Sequence, residues 1–131
     1  MEPATVEEYM TTPVLTVERG TAVDEIADAM LQEDINSIVC IEAGCEPAGI
    51  LTSTDFIAMV SSQGLETTGT VGEYMATDVV TVPPDASIAD AAARMVDHGV
   101  AHLPVFDGEN VTGIVTSTDI VRFLATVEPG E

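Results

Sequence analysis

The sequence contains no lysine, no tryptophan and only three arginines, so it carries very little positive charge. Its 131 residues include 23 aspartates and glutamates, and the formal net charge is −20 with both histidines neutral. A surface of this charge repels phosphate backbones and anionic lipid headgroups. The composition therefore excludes nucleic acid and an anionic membrane surface as partners.

Long apolar runs and cysteines are also scarce. No stretch approaches the ~18 to 20 consecutive apolar residues that span a bilayer, and the first residues lack a basic region followed by an apolar one, so we expect a cytoplasmic protein. Cys40 and Cys45 are the only cysteines, and neither has a histidine nearby in the sequence. Two such residues fall short of a zinc site, so we expect reduced thiols, with Cys40 in the core, and no bound metal.

The apolar residues that are present fall in periodic blocks. They make up 46% of the chain, and the mean hydropathy is +0.29, so the sequence predicts a folded protein despite its charge. Repulsion among the carboxylates is largely screened at about 1 M salt, where the Debye length is roughly 3 Å. A mesophilic acidic protein would not explain the absence of lysine, so the composition predicts a salt-adapted protein of the haloarchaeal type.

The chain contains an internal repeat. Residues 6–60 resemble residues 71–124, and residues 61–70 between them are small and polar, which is typical of a linker. Residues 125–131 form a short C-terminal tail. We therefore predict two half-domains, and because about 55 residues bury too little surface alone, we expect the halves to pack through their strands with approximate two-fold symmetry.

Each repeat alternates between strand and helix patterns. The run Val14–Val17 predicts a first strand, and a stripe of apolar residues at helical spacing follows it. Buried strands are predicted at Ile38–Ile41 and Leu103–Phe106, third strands at Gly49–Thr52 and Gly113–Thr116, and a closing helix after each. The apolar residues expected to face the core from these helices are Val23, Ile26, Ala27, Met30, Leu31, Phe56, Ile57 and Val60 in the first copy, and Ile88, Ala91, Ala92, Met95, Val96, Ile120, Val121 and Leu124 in the second.

The heptapeptides Gly49–Asp55 and Gly113–Asp119 are the most informative feature, because each places hydroxyls and a carboxylate where a strand gives way to a helix. Unpaired N–H groups at a helix start favour phosphate, and a carboxylate accepts hydrogen bonds from ribose hydroxyls. The pattern therefore favours a nucleotide. Helix capping by Ser53 or Thr54 is the structural alternative, although two matching copies favour ligand binding.

Together with Val100–Val105, these motifs make residues 6–124 resemble a tandem CBS-domain (cystathionine-β-synthase domain) protein. The resemblance implies an α/β fold of the α+β type, with two β-α-β-β-α repeats joined through their sheets. It also implies a homodimer, and binding of an adenosine-containing ligand (AMP, ADP, ATP or S-adenosylmethionine) without catalysis or a required cofactor. Its output would pass to an effector protein that the sequence does not identify.

The resemblance assigns ligand-lining roles by position. In the first copy these positions are Thr12, Ile35, Ser37, Thr52, Thr54 and Asp55, and in the second copy Thr77, Val100, His102, Thr116, Thr118 and Asp119. The aspartates would accept from ribose, and the threonines would lie near ribose or phosphate. Because the second copy has His102 where the first has Ser37, and has Arg122 beside Asp119 in the sequence, we expect the Asp119 cleft to bind an anionic ligand better.

Three other functions compete with this interpretation. An enzyme would need a nucleophile with a base, a metal cluster or paired carboxylates in one pocket, and the sequence offers none of these. A cation sensor would need clustered acids, whereas these are scattered. A ligand-free dimerisation or interaction scaffold is the more serious alternative, but it would have no use for Thr-x-Thr-Asp in both copies beyond capping.

Overall fold

The computed structural model describes residues 4–63 and 69–126. The predicted linker and tail therefore lie partly outside the described residues. The chain divides into two compact units. We call residues 15–79 the central unit, and residues up to 14 together with those from 80 onward the terminal unit.

The central unit contains a three-stranded sheet in the order β1-β2-β3. Strand β1 pairs parallel with β2, and β2 pairs antiparallel with β3. Its elements are β1 (Thr16–Glu18), α2 (Val23–Glu33), β2 (Ser37–Ile41), a 3₁₀ turn (Ala43–Cys45), β3 (Pro47–Thr52), α3 (Ser53–Gln63) and α4 (Val71–Tyr74). Helix α2 and Met59 of α3 pack on the sheet with Ile38, Cys40 and Leu51, which forms one hydrophobic core.

The terminal unit has the same plan with a smaller sheet. Its elements are α1 (Val6–Tyr9), α5 (Ile88–His98), β4 (His102–Phe106), β5 (Val111–Thr116) and α6 (Ser117–Thr126). Strands β4 and β5 are antiparallel. Its core includes Val82, Ala91, Leu103, Val105 and Val115. The α+β class and the strand and helix order predicted from the repeats are confirmed in their main elements.

The first strand of the second copy is reduced to a single parallel bridge between Val82 and Val105. Val82 still donates to Pro104 O at 3.1 Å and accepts from Phe106 N at 3.0 Å. In the first copy, Val39 N also donates to Leu15 O at 3.0 Å, and the residues at these two positions in the second copy are Pro104 and Val80. Because proline has no N–H to donate, this bond cannot form in the second copy and the pairing is shorter.

The opening segment of each repeat packs with the remainder of the other repeat. Val6 N donates to Ala86 O at 2.8 Å, and the equivalent Val71 N donates to Thr21 O at 2.8 Å. Both valines are fully buried. Sequence periodicity shows which residues correspond, but it does not show which segments pack together. The units therefore divide at residues 14/15 and 79/80 and not between the repeats.

The helical stripes are narrower than expected. Val23, Ile26 and Met30 are buried in α2, as are Ile88, Ala91 and Met95 in α5, but Leu31 and Val96 are 83% and 81% exposed. A residue eight positions after the first lies about 80° around the helix from it, at the edge of the stripe. The expectation that Leu31 and Val96 face the core is therefore wrong.

The closing helices show a similar difference. Phe56 and Ile120 pack against their cores as expected. The remaining residues predicted for these apolar faces are exposed instead: Ile57, Val60, Val121 and Leu124. In α3, Met59 is buried, which the periodicity did not single out.

Two glycines allow a methionine to approach the sheet closely. A Cβ added at Gly113 would lie 2.6 Å from Met10 Sδ and 3.1 Å from Thr11 O. At the equivalent Gly49, it would collide with the side chain of Met75. The glycine that opens each heptapeptide is therefore required by packing, and Met10 and Met75 pack in the cores of their units.

Candidate functional site

The heptapeptides lie at strand-to-helix junctions, as predicted. Strand β3 ends at Thr52 where α3 begins, and β5 ends at Thr116 where α6 begins. Ser53 N donates to Asn36 O at 3.0 Å, and Ser117 N donates to Ala101 O at 3.0 Å. The first N–H of each helix is thereby bonded to the residue just before the paired strand, β2 or β4.

Strand pairing brings two of the predicted positions together in each unit. Ser37 lies directly opposite Thr52 in the β2-β3 pair, and His102 lies directly opposite Thr116 in the β4-β5 pair. Facing residues of an antiparallel pair project to the same side of the sheet. Each unit therefore has one corner with a strand-entry side chain, a threonine and the motif aspartate close by.

The other predicted positions border these corners. Ile35 and Val100 are half-buried against their cores, and each follows a left-handed residue, Asp34 or Gly99, that ends the helix before it. Thr54 and Thr118 are exposed on the first turns of α3 and α6.

Thr12 and Thr77 are exposed as well, but each lies in the unit that is formed mainly by the other repeat. Thr12 follows Thr11, which is bridged to Ile114 of β5, and Thr77 follows Ala76, which is bridged to Ile50 of β3. Thr12 therefore belongs to the unit that contains Asp119, and Thr77 to the unit that contains Asp55.

The carboxylate of Asp119 is 1% exposed and is fully hydrogen-bonded within its unit. Thr11 Oγ1 donates to both of its oxygens at 3.1 Å, and Arg122 Nη1 donates to Oδ1 at 3.1 Å. Thr116 donates to Oδ2 from its backbone N at 2.9 Å and from Oγ1 at 3.2 Å. A buried carboxylate requires such partners to stay charged.

Asp55 has a simpler environment. Among the described residues, only Thr52 donates to it, from the backbone N at 2.8 Å and from Oγ1 at 3.3 Å, and both bonds reach Oδ2. Asp55 is half-buried. In both copies the carboxylate thus accepts from the backbone N–H of the last strand residue.

Thr11 is the residue that sequence reasoning missed. It corresponds to Ala76 in the second copy, and both make the same two backbone hydrogen bonds to the neighbouring strand. The only available signal was the hydroxyl present in one copy and absent in the other. Such a difference gains meaning only when the exchanged packing of the opening segments is known.

Each of the three arginines has a protein partner. Arg19 pairs with Glu42 at 2.8 Å on the surface, and Arg94 Nη1 donates to Thr81 O at 2.5 Å. Arg122, expected to contribute to the Asp119 cleft, is exposed and pairs with Asp119. The geometry therefore gives Arg122 a role in holding Asp119.

Two apolar pockets lie beside the closing helices, and neither is lined by a residue of the two heptapeptides. One, of about 470 Å³, is lined by Phe56, Ile57, Val60 and Ser61. The other, of about 540 Å³, is lined in part by Ile88, Ile120, Phe123 and Leu124. Tyr9 packs its ring edge-on against Phe123, with centroids 5.3 Å apart.

Within residues 4–63 and 69–126, no helix is long and apolar enough to cross a membrane. The same residues contain no group of three or more histidines, cysteines or carboxylates arranged to hold a metal ion. Cys40 is buried in β2, and burial raises the pKa of its thiol, while Cys45 is partly exposed and also unpaired.

Comparison with known proteins agrees with this geometry. The model of the CBS domain family matches residues 6–62 and 71–126. The CBS domain-containing protein YhcV of Bacillus subtilis is 33% identical over 117 residues, which is 89% of this chain and 83% of that protein. The homoserine O-acetyltransferase of Methanococcoides burtonii is 35% identical over 121 residues, but the match spans only 24% of that enzyme.

Solved structures show the same fold. The CBS domain pair of protein MJ0100, solved with 5′-methylthioadenosine and S-adenosyl-L-methionine, aligns with a TM-score of 0.83 at 26% identity and covers 95% of this chain and 98% of its own. An uncharacterized conserved protein from Pyrococcus horikoshii aligns with a TM-score of 0.82 at 24% identity and covers 100% of both chains, which shows the fold alone.

Proposed function

The chain belongs to the CBS domain family, and from that premise we propose that it is a non-catalytic regulatory module that binds an adenosine-containing ligand. CBS domain pairs are generally regulatory. The acetyltransferase relatives do not weaken this proposal, because the chain matches only about a quarter of each of those enzymes.

The observation that carries the proposal is the pair of matching corners. Each combines hydroxyl donors, exposed threonines at a helix start and a carboxylate, which are the groups that recognise a ribose and its substituents. The related pair of protein MJ0100 was solved with two adenosyl ligands, and this supports the same ligand class here. AMP, ADP, ATP and S-adenosylmethionine are the candidates.

The ligand-lining residues in this proposal are those assigned by the motif. In the central unit they are Ile35, Ser37, Thr52, Thr54, Asp55 and Thr77, and in the terminal unit Thr12, Val100, His102, Thr116, Thr118 and Asp119. No cofactor is required, because the module recognises its ligand without transforming it.

We further propose that the chain forms a homodimer and signals to a separate effector protein. The support is the set of exposed apolar side chains at corresponding positions of both repeats, which are Leu31 with Val96, Ile57 with Val121, and Val60 with Leu124. Exposed apolar faces commonly mark protein interfaces. The same residues recur in both units, which fits a second copy of the chain better than a single unrelated partner.

Adaptation to a salt-rich cytoplasm of the haloarchaeal type is also a proposal, and its support is the net charge of −20. Self-repulsion on this scale is relieved when salt shortens the Debye length from about 10 Å at 0.1 M to about 3 Å at 1 M. We expect the melting temperature to rise steadily from 0.1 M to about 2 M KCl. A flat or falling dependence would contradict salt adaptation.

The experiment that tests ligand binding is a thermal-shift screen in about 2 M KCl with adenosine, AMP, ADP, ATP and S-adenosylmethionine. A ligand that binds only the folded state, at 100 times its dissociation constant, adds about 2.7 kcal/mol and raises the melting temperature by several degrees. A shift with an adenosyl compound supports the proposal. No shift with any of them, in a sample that melts cooperatively, would favour the ligand-free scaffold.

A further inference from the structure

The two motif aspartates have the same sequence context but different hydrogen-bond environments. A carboxylate offers about four acceptor sites on its two oxygens. Four donor groups reach Asp119: the Thr11 hydroxyl, the Thr116 amide and hydroxyl, and the Arg122 guanidinium. A ligand could therefore bond to Asp119 only by displacing one of these donors.

Asp55 retains acceptor capacity. Both hydrogen bonds that it accepts from the described residues come from Thr52 and end on Oδ2, so Oδ1 is available. Asp55 is also more exposed than Asp119, which is fully buried. A vicinal diol could bond to Asp55 without displacing any of these groups.

Two substitutions between the repeats account for the difference. Ala76 occupies the place of Thr11, with matching backbone bonds to Ile50 and Ile114, and Ala58 occupies the place of Arg122. The central unit therefore lacks both side chains that, in the terminal unit, donate hydrogen bonds to Oδ1 of the aspartate.

We propose that a nucleoside ligand binds through its vicinal diol at Asp55 in preference to Asp119. Asp119 instead accepts a hydrogen bond from Thr11, and this bond holds the opening segment against the junction of β5 and α6. This reverses the order expected from the sequence, in which His102 and Arg122 favoured the Asp119 cleft. The inference rests on the proposed function, because it assumes that an adenosyl ligand binds.

The structure suggests a variant in which added donors occupy the free oxygen of Asp55, as Thr11 and Arg122 do at Asp119. We call it the blocked variant. Ala58→Arg combined with Ala76→Thr introduces both missing donors, and because both alanines are exposed, neither substitution disturbs the core. The control Ala93→Arg with Ala125→Thr places the same groups at exposed positions of α5 and α6. Asp55→Asn provides a second, independent test.

We would measure binding by calorimetric titration in about 2 M KCl, with adenosine, AMP and S-adenosylmethionine as probes. The blocked variant and Asp55→Asn should each weaken binding about ten- to a hundredfold, the usual effect of losing hydrogen bonds to a charged group. The control variant should bind as the wild type does, and melting curves establish that each protein is folded.

The outcomes separate the two claims. If the wild type binds a probe and both Asp55 variants bind it with unchanged affinity, the preference for Asp55 is overturned while the proposed function stands. If the wild type binds none of the three probes, the proposed function fails and the inference fails with it.

Discussion

Thr11 Oγ1 lies 3.1 Å from both carboxylate oxygens of Asp119, although 108 residues of sequence separate them. This contact ties the opening segment of the first repeat to the closing helix of the second. The backbone reinforces it, since Thr11 N donates to Ile114 O at 2.7 Å and Ile114 N donates to Thr11 O at 3.1 Å. The terminal unit thus depends on a segment from the other repeat.

Thr11→Ala should lower stability. The variant removes a hydrogen bond to a buried charged group, and we expect a loss of about 1.5 to 3 kcal/mol in the free energy of unfolding. Denaturant unfolding in about 2 M KCl measures it. Thr12→Ala is the control, because Thr12 is exposed and should change stability by less than about 0.5 kcal/mol. Equal effects of the two substitutions would contradict the importance of the Thr11–Asp119 contact.

Most of the fold could be predicted from the sequence, because the spacing of apolar residues along the chain distinguishes strands from helices. The runs at Ile38–Ile41 and Leu103–Phe106 lie within strands β2 and β4. Helix α5 begins after Ser87, which accepts from Asp90 N, and ends at the left-handed Gly99. Leu31 and Val96 were wrongly assigned to the buried faces of their helices, because periodicity alone does not show how wide the buried face is.

The candidate site was less predictable. The motif located Asp55 and Asp119 at strand-to-helix junctions, but it could not show that they differ, since their heptapeptides differ only at Leu51 and Val115. The difference comes from Thr11 and Arg122, and Thr11 reaches Asp119 only through the exchange of opening segments. Long-range packing of this kind leaves no local pattern.

Gly113→Ala should destabilise the protein because the added methyl group would press on Met10 and on the backbone oxygen of Thr11. Overpacking of this kind costs about 1 to 3 kcal/mol. Gly20→Ala is a matched control, since nothing lies within 4 Å of a Cβ at that position. Thermal melting of both variants tests this, and a Gly113→Ala protein as stable as Gly20→Ala would contradict the packing argument.

Alkaline pH should destabilise the protein through Cys40. Burial raises the pKa of this thiol in the folded state, so the unfolded state ionises first. Its contribution to stability is therefore full below the unfolded pKa, about 8.5, and is lost as pH rises through the folded pKa. Unfolding free energies from pH 7 to 10 should fall more steeply for the wild type than for Cys40→Ala. Parallel curves would show that the thiol is not responsible.

The proposed dimer can be tested at the closing helix of the terminal unit. Val121→Asp with Leu124→Asp places charges on two exposed apolar positions of α6, which should weaken association without disturbing the core. Sedimentation equilibrium in about 2 M KCl should give twice the chain mass for the wild type and a larger monomer fraction for the variant. A wild type that is monomeric at all concentrations would contradict the dimer.

The central claim is that the module recognises the adenosine moiety through a carboxylate and its ribose diol. The most direct measurement is a titration of the wild type with adenosine and with 2′-deoxyadenosine, together with AMP and S-adenosylmethionine, in about 2 M KCl. The account predicts saturable binding of at least one of the ribose-containing compounds. It also predicts that adenosine binds at least about tenfold more tightly than 2′-deoxyadenosine. No binding of any compound, or equal affinity for the ribose and deoxyribose forms, would contradict it.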